Sequence, residues 1–227
     1  MKPMRGFTLV EIAVVFVIIA LLLGMLVVPL STQVDQQRIG DTQKHARTIT
    51  EAILGFAVAN GRLPCPATAT TASTTAGAGL ENKAGAACGI TEGVVPWTTL
   101  GVQETDSWGQ RYTYRVTPAF ADDPAGGLQA SFQLTDNGGI TVTSGGAAPI
   151  TIATNVAAVM VSHGKNGIGG YKSDGTQVAG AAGDELENAD NDTTFISKLP
   201  EPTFDDLIVW VSSNVLKSRM VAAGRLP

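Results

Sequence analysis

The chain has 227 residues, 44% hydrophobic and 15% charged, enough for one real core but short for two large domains. Lys and Arg number 15 against 20 Asp and Glu, a net charge of -5 with neither sign gathered into long runs, which argues against a nucleic-acid groove. The 26 glycines and the large Ala, Thr and Ser share point to a loop-rich, exported head rather than a dense cytosolic enzyme.

The first predicted element is a membrane segment. Ile12 to Leu30, IAVVFVIIALLLGMLVVPL, carries no charge and has about the length needed to cross a ~30 Å hydrocarbon core as helix. Lys2 and Arg5 precede it, so the extreme N-terminus stays cytoplasmic and the remainder is sent across. An ordinary secretory signal has a shorter apolar core with a small-residue cleavage site on its far side. Here the small residue, Gly6, lies on the near side, followed by Phe7-Thr8-Leu9-Val10-Glu11. A carboxylate at the edge of an apolar segment is costly unless it stays at the interface or finds a positive partner, so Glu11 calls for one.

The string Arg5-Gly6-Phe7-Thr8-Leu9-Val10-Glu11 and the apolar run after it resemble the cleavage and methylation signature of type IV prepilins and type II secretion pseudopilins. The resemblance implies a leader, residues 1–6, cut between Gly6 and Phe7 by a prepilin peptidase that also methylates the new amine of Phe7. It implies that Glu11 attracts the N-terminal amine of a neighbouring subunit during assembly, which supplies the positive partner. Loss of the leader leaves 13 positive and 20 negative side chains, a net charge of -7. Pro29 falls one residue later than the proline usual in this helix, which shifts the expected bend.

Beyond Ser31 the pattern turns amphipathic, with Ile39, Ala46, Ile49, Ile53 and Phe56 on one side and Asp35, Arg38, Lys44 and Glu51 on others. Asn60-Gly61 and Pro64 form a helix stop, so one helix is predicted over residues 7–60 and a head over 61–227. Residues 66–92, rich in Ala, Thr, Ser and Gly, read as a long connecting loop. Cys65 and Cys88 flank most of it, and the even count suits one disulfide in an oxidising compartment, the alternative being two unpaired thiols.

Strands are predicted at 111–116 and 129–134, the latter with Ala130, Phe132 and Leu134 inward, then at 140–143 after the turn signal Asp136-Asn137-Gly138-Gly139. Together they suggest an antiparallel meander. The nearly continuous apolar runs at 155–161 and 207–211 read as buried strands, and Asn214 as the cap of a last short helix ending near Gly224. The fold class is therefore α+β, a long N-terminal helix packed on an antiparallel β-sheet head, which is pilin-like by the same resemblance. Asp106-Ser107-Trp108-Gly109 is similar to the turn that enters the first sheet strand of many pseudopilins, and it reads equally as a buried Trp anchoring an ordinary turn.

Among residues that could carry chemistry, Asp184, Glu185, Glu187, Asp190 and Asp192 crowd carboxylates into nine positions. Such hard oxygen donors suit Ca2+, with Asp184, Glu187, Asp190 and Asp192 as the candidate ligands and a solvated acidic loop as the alternative. No other cofactor is expected. His163 follows a buried strand, yet no GxSxG elbow accompanies it, and Gly164-Lys165-Asn166-Gly167 lacks the order of a phosphate-binding loop. No enzymatic activity is expected.

The resemblance implies a structural subunit of a type IV pilus or type II secretion pseudopilus, a minor one by the size of its head. The competing class is a surface-binding, adhesin-like protein on the same anchor. Expected partners are other pilin or pseudopilin subunits, the prepilin peptidase, the inner-membrane assembly platform and the membrane, with no nucleic acid. The expected location is the bacterial inner membrane with the head in the periplasm, and then the fibre at the cell surface.

Overall fold

The structure, a computed structural model, describes Gly6, residues 8–123 and residues 129–226, and of residues 23–31 it describes the backbone only. Chain contacts divide it into two units, Met1–Gly40 and Asp41–Pro227, and the boundary falls inside helix α1 (Leu9–Asn60). In the first unit the large apolar side chains described are exposed from Leu9, at 87%, through Phe16, at 66%, to Leu22. The expected span at 12–30 runs into 23–31, whose side chains lie outside the description. Among the described residues, no helix is long and apolar enough to cross a membrane.

In the second unit the last turns of α1 bury Ala46, Ile49, Ile53 and Ala57, spaced three and four residues apart on one helical face. Phe56, expected on that stripe, is only half-buried and lies under the Arg62 guanidinium. The helix stops at Gly61, whose φ of 75° suits glycine and whose N–H donates to the Ala57 carbonyl at 2.8 Å.

The connecting loop holds a small hairpin of β1 (Lys83–Ala84) and β2 (Ala87–Cys88). There follow β3 (Glu92–Val94), α2 (Trp97–Leu100), β4 (Gln110–Arg111), β5 (Thr113–Val116), α3 (Pro118–Ala121), β6 (Ile140–Thr143) and β7 (Thr151–Ser162). After these come β8 (Tyr171–Lys172), α4 (Asp184–Glu187), β9 (Thr194–Ile196), β10 (Leu207–Ser212) and α5 (Ser213–Ala222).

The six-stranded sheet is organised around β7, which pairs antiparallel with β5, β6 and β10, while β3 joins through β5 and β9 through β6. Residues Val156 to Ser162 are all buried because both faces of β7 are covered. Ala158 and Met160 share a core with Ile49, Ile53, Tyr112, Phe120 and Leu216. Val159 and Val161 pack with Ile140, Val142 and Phe195 on the other side.

Three expectations are corrected. The sheet is neither a meander nor wholly antiparallel: β9 runs parallel to β6, which the long excursion between them permits. Residues 129–134 form no strand. Their backbone is divided between partners, Ala130 N–H donating to Arg225 and Ser131 N–H to Gly61, so Phe132 is buried edge-to-face on Phe120 while Leu134 is exposed. The cap of α5 is Ser212, whose hydroxyl accepts the Val215 N–H at 3.2 Å, because the strand runs straight into the helix two residues before an Asn214 cap would start it.

Candidate functional site

The site singled out by sequence is the junction at the chain's start. Phe7, the expected site of cleavage and methylation, lies outside the described residues. Gly6 is exposed, and a Cβ there would meet no atom within 4 Å, so no packing within this chain calls for glycine.

Two residues on, Thr8 and Glu11 close a reciprocal capping box at the start of α1. The Glu11 carboxylate accepts the Thr8 N–H at 2.8 Å and the Thr8 hydroxyl at 2.9 Å, while the Glu11 N–H donates to Thr8 Oγ1 at 3.3 Å. The Glu11 carboxylate thus has two uncharged donors three residues away. The T-x-x-E spacing is the signal that reveals it.

In the head, the Cys65–Cys88 disulfide is formed, with its Cα atoms 5.3 Å apart. Beside it Arg62 pairs with Glu81 at 2.8 Å and the Cys65 N–H donates to the same carboxylate at 3.1 Å. Burial pushes the Glu81 carboxyl up, but these donors outweigh it and leave it below its usual range. Arg111, fully buried, donates to Glu104, Ala69 O, Ser73 and Ser173 O and stacks on Trp97 at 4.6 Å, fastening the long loop to β4.

Asp106 makes the turn expected around Trp108. Its Oδ1 accepts the N–H groups of Trp108 and Gln110, each at 2.9 Å, and its Oδ2 accepts the Ser162 hydroxyl at 2.6 Å. Asp106, rather than the half-buried Trp108, is the anchor. Neighbouring Ser107 N–H and Tyr112 OH donate to Thr42 of α1, each at 3.3 Å, so the turn ties helix to sheet.

The acidic stretch does not act as one cluster. Asp184 pairs with Lys198 at 2.6 Å, Asp190 accepts the Asp192 N–H, and Asp192 accepts the Thr194 N–H. Glu187 has its carboxyl raised, by burial first and then by Asp192, Asp190 and Asp184. Among the described residues, the carboxylates whose oxygens do gather, all within 4.8 Å of one another, are Glu185, Asp205 and Asp206. The last two escaped the sequence reading, although an Asp-Asp pair directly before an apolar strand is an unusual feature. His163 is buried beside them, its Nε2 2.8 Å from Thr113 Oγ1 and its Nδ1 3.7 Å from Asp206 Oδ1. Burial lowers the pKa of the ring to about 4 and raises that of Asp206 to about 8.

Residues 1–27 match the family model described as the prokaryotic N-terminal methylation motif, which supports the resemblance to type IV pilins and pseudopilins drawn from the same stretch. No curated protein and no solved structure matches the chain significantly.

Proposed function

We propose that this carrier of the prokaryotic N-terminal methylation motif is a structural subunit, of minor type, of a type IV pilus or type II secretion pseudopilus. Its precursor is held in the inner membrane by residues 12–30 with the head in the periplasm. A prepilin peptidase cuts between Gly6 and Phe7 and methylates Phe7. An assembly platform then moves the subunit into a fibre, where Glu11 meets the amine of a neighbouring subunit.

The observation that carries this reading is the motif at 1–27, within which the apolar side chains from Leu9 to Leu22 are exposed. Contiguous apolar surface of this kind needs lipid or protein around it. A first step in assembly follows from the capping box: the Glu11 carboxylate exchanges its Thr8 donors for the ammonium of the neighbour, a stronger partner in a low-dielectric bundle.

The test is Gly6→Ala in the native cell. Because a Cβ at Gly6 meets nothing in this chain, the variant should fold normally and accumulate as a precursor six residues longer, absent from sheared fibres. Normal processing would overturn the cleavage site. Glu11→Ala should be cleaved yet fail to enter fibres; full incorporation would remove Glu11 from assembly.

A further inference from the structure

We propose that the outer edge of β10 is a docking site for an extended, acidic segment of another polypeptide, which joins the sheet as a further strand. The sheet ends in three strands, β3, β9 and β10. Two of these edges are closed by the chain itself. Val94 of β3 exchanges backbone hydrogen bonds with Ala67, at 2.8 and 2.9 Å. At β9 the Asn188 side chain accepts the Ile196 N–H at 2.8 Å and donates to the Ile196 carbonyl at 3.2 Å, and Asp192 accepts the Thr194 N–H at 2.6 Å.

The third edge is different. Backbone direction alternates along a strand, and Val116 N–H donates to Thr91 on the β3 side, so Thr113 and Arg115 of β5 face Val161 and Val159 of β7. Met160 and Ala158 therefore turn toward β10, opposite Val209 and Val211. Ile208 and Trp210 direct their N–H and C=O groups outward, and among the described residues nothing bonds to those groups. Open edges are normally blunted by charge, proline or a bulge. The stretch Leu207 to Val211 has neither charge nor proline, and the register is regular until the shift at Val211/Ser212.

Alternating donors and acceptors of this kind are met by an extended peptide backbone. The surroundings specify its side chains. A groove of about 380 Å³ lies between α1 and the first half of β10, and its apolar lining includes Ala46, Met160 and Val209. It takes the side chains on one face of the added strand, while Ile208 and Trp210, half-buried on the other face, meet the alternate ones. Two cations border the groove. Lys198 is engaged by Asp184 and Glu201, whereas Arg47 is exposed and has no ion pair among the described residues. An acidic side chain on the added strand supplies one. A second copy of β10 carries no acidic residue and would leave Arg47 unmatched.

The experiment uses the full chain in detergent micelles and a blocked, fluorophore-labelled peptide, Ser-Glu-Val-Thr-Val-Thr-Glu. Its anisotropy should rise to saturation as the chain is added. Amide exchange at Ile208 and Trp210, fast in the free chain, should slow by about tenfold or more at saturation, while Val209 and Val211 stay slow throughout. Replacing both Glu of the peptide by Lys should weaken binding about fivefold, and Arg47→Glu should reverse that preference. Ile208→Pro removes one outward donor without touching the ladder to β7, and should abolish binding. If Ile208→Pro fails to fold, the reversal at Arg47→Glu decides. No binding of the acidic peptide, or binding without slowed exchange at Ile208 and Trp210, overturns the site. Slow exchange at these two amides in the free chain at every concentration shows a closed edge and also overturns it. Slowing that needs only more of the chain itself gives the edge to a second copy and overturns the acidic partner. None of these outcomes depends on whether the chain enters a fibre.

Discussion

The two units of this chain use apolar residues in opposite ways. In 41–227 the large apolar groups are mostly enclosed by the chain itself, with Ile53, Tyr114, Phe120 and Val161 at 0% exposure. In the described part of 1–40 they face outward, from Leu9 to Leu22, and Thr8 and Glu11 bond to one another at the start of the helix. A head of this kind is stable through its own contacts. An uncovered apolar stretch of this kind acquires its surroundings from other molecules.

Substitutions can break or sharpen that contrast. The largest expected effect concerns Asp206, whose carboxyl is buried with one oxygen unpartnered. The folded pKa of Asp206, near 8, lies far above the ~3.9 of an unfolded aspartate, so its favourable contribution is complete below about pH 4 and is lost as pH rises toward 8. In EDTA, urea midpoints should therefore fall over that window, and Asp206→Asn should flatten the fall. His163 acts with the opposite sign: its folded pKa of about 4 lies below the usual 6.5, so stability is lost as pH drops from about 6.5 toward 4. His163→Gln should remove that acid-side loss.

Next comes the core. Phe132→Ala should cost about 3–5 kcal/mol in chemical denaturation, because the ring is buried edge-to-face on Phe120. A cost under about 1 kcal/mol would mean that the 129–134 strap is not part of the core. Comparable in size, but confined to the other unit, is Ile18→Arg. It should cost about 3 kcal/mol in membrane retention, read by carbonate extraction, while the melting midpoint of the head stays within about a degree. A falling midpoint would show that the head uses this stretch after all.

Cys65→Ser should lower stability by about 3 kcal/mol, since the bridge closes a loop with a sequence separation of 23 residues. The same loss should follow addition of reductant to the wild type. Smallest is Thr8→Ala, which removes one half of the capping box and should cost about 1 kcal/mol of local helix stability, read as faster amide exchange at Leu9 to Glu11.

Sequence patterns were sufficient wherever one short-range cause acts alone. The 3.6-residue apolar stripe marked the buried face of α1, continuous apolar runs marked β7 and β10, and Asn60-Gly61 marked the helix stop, since each depends on local backbone chemistry and one neighbouring surface. Residues 129–134 misled because alternation records which side chains turn inward, not whether a strand lies alongside. Asn214 lost its role to Ser212 because the end of β10 sets where α5 begins.

What the sequence alone determined is the motif: Gly6, Phe7 and Glu11 stand within residues 1–27, which match the prokaryotic N-terminal methylation motif, and adjacency along the chain is all such a motif requires. What only the tertiary structure decided is which groups meet across long stretches of chain. It returned Glu11 to Thr8, divided the acidic stretch among separate partners, and joined Glu185 to Asp205 and Asp206, about twenty residues away in sequence. Carboxylates repel whatever their order in the chain, so whether they gather is settled by the packing that holds them together.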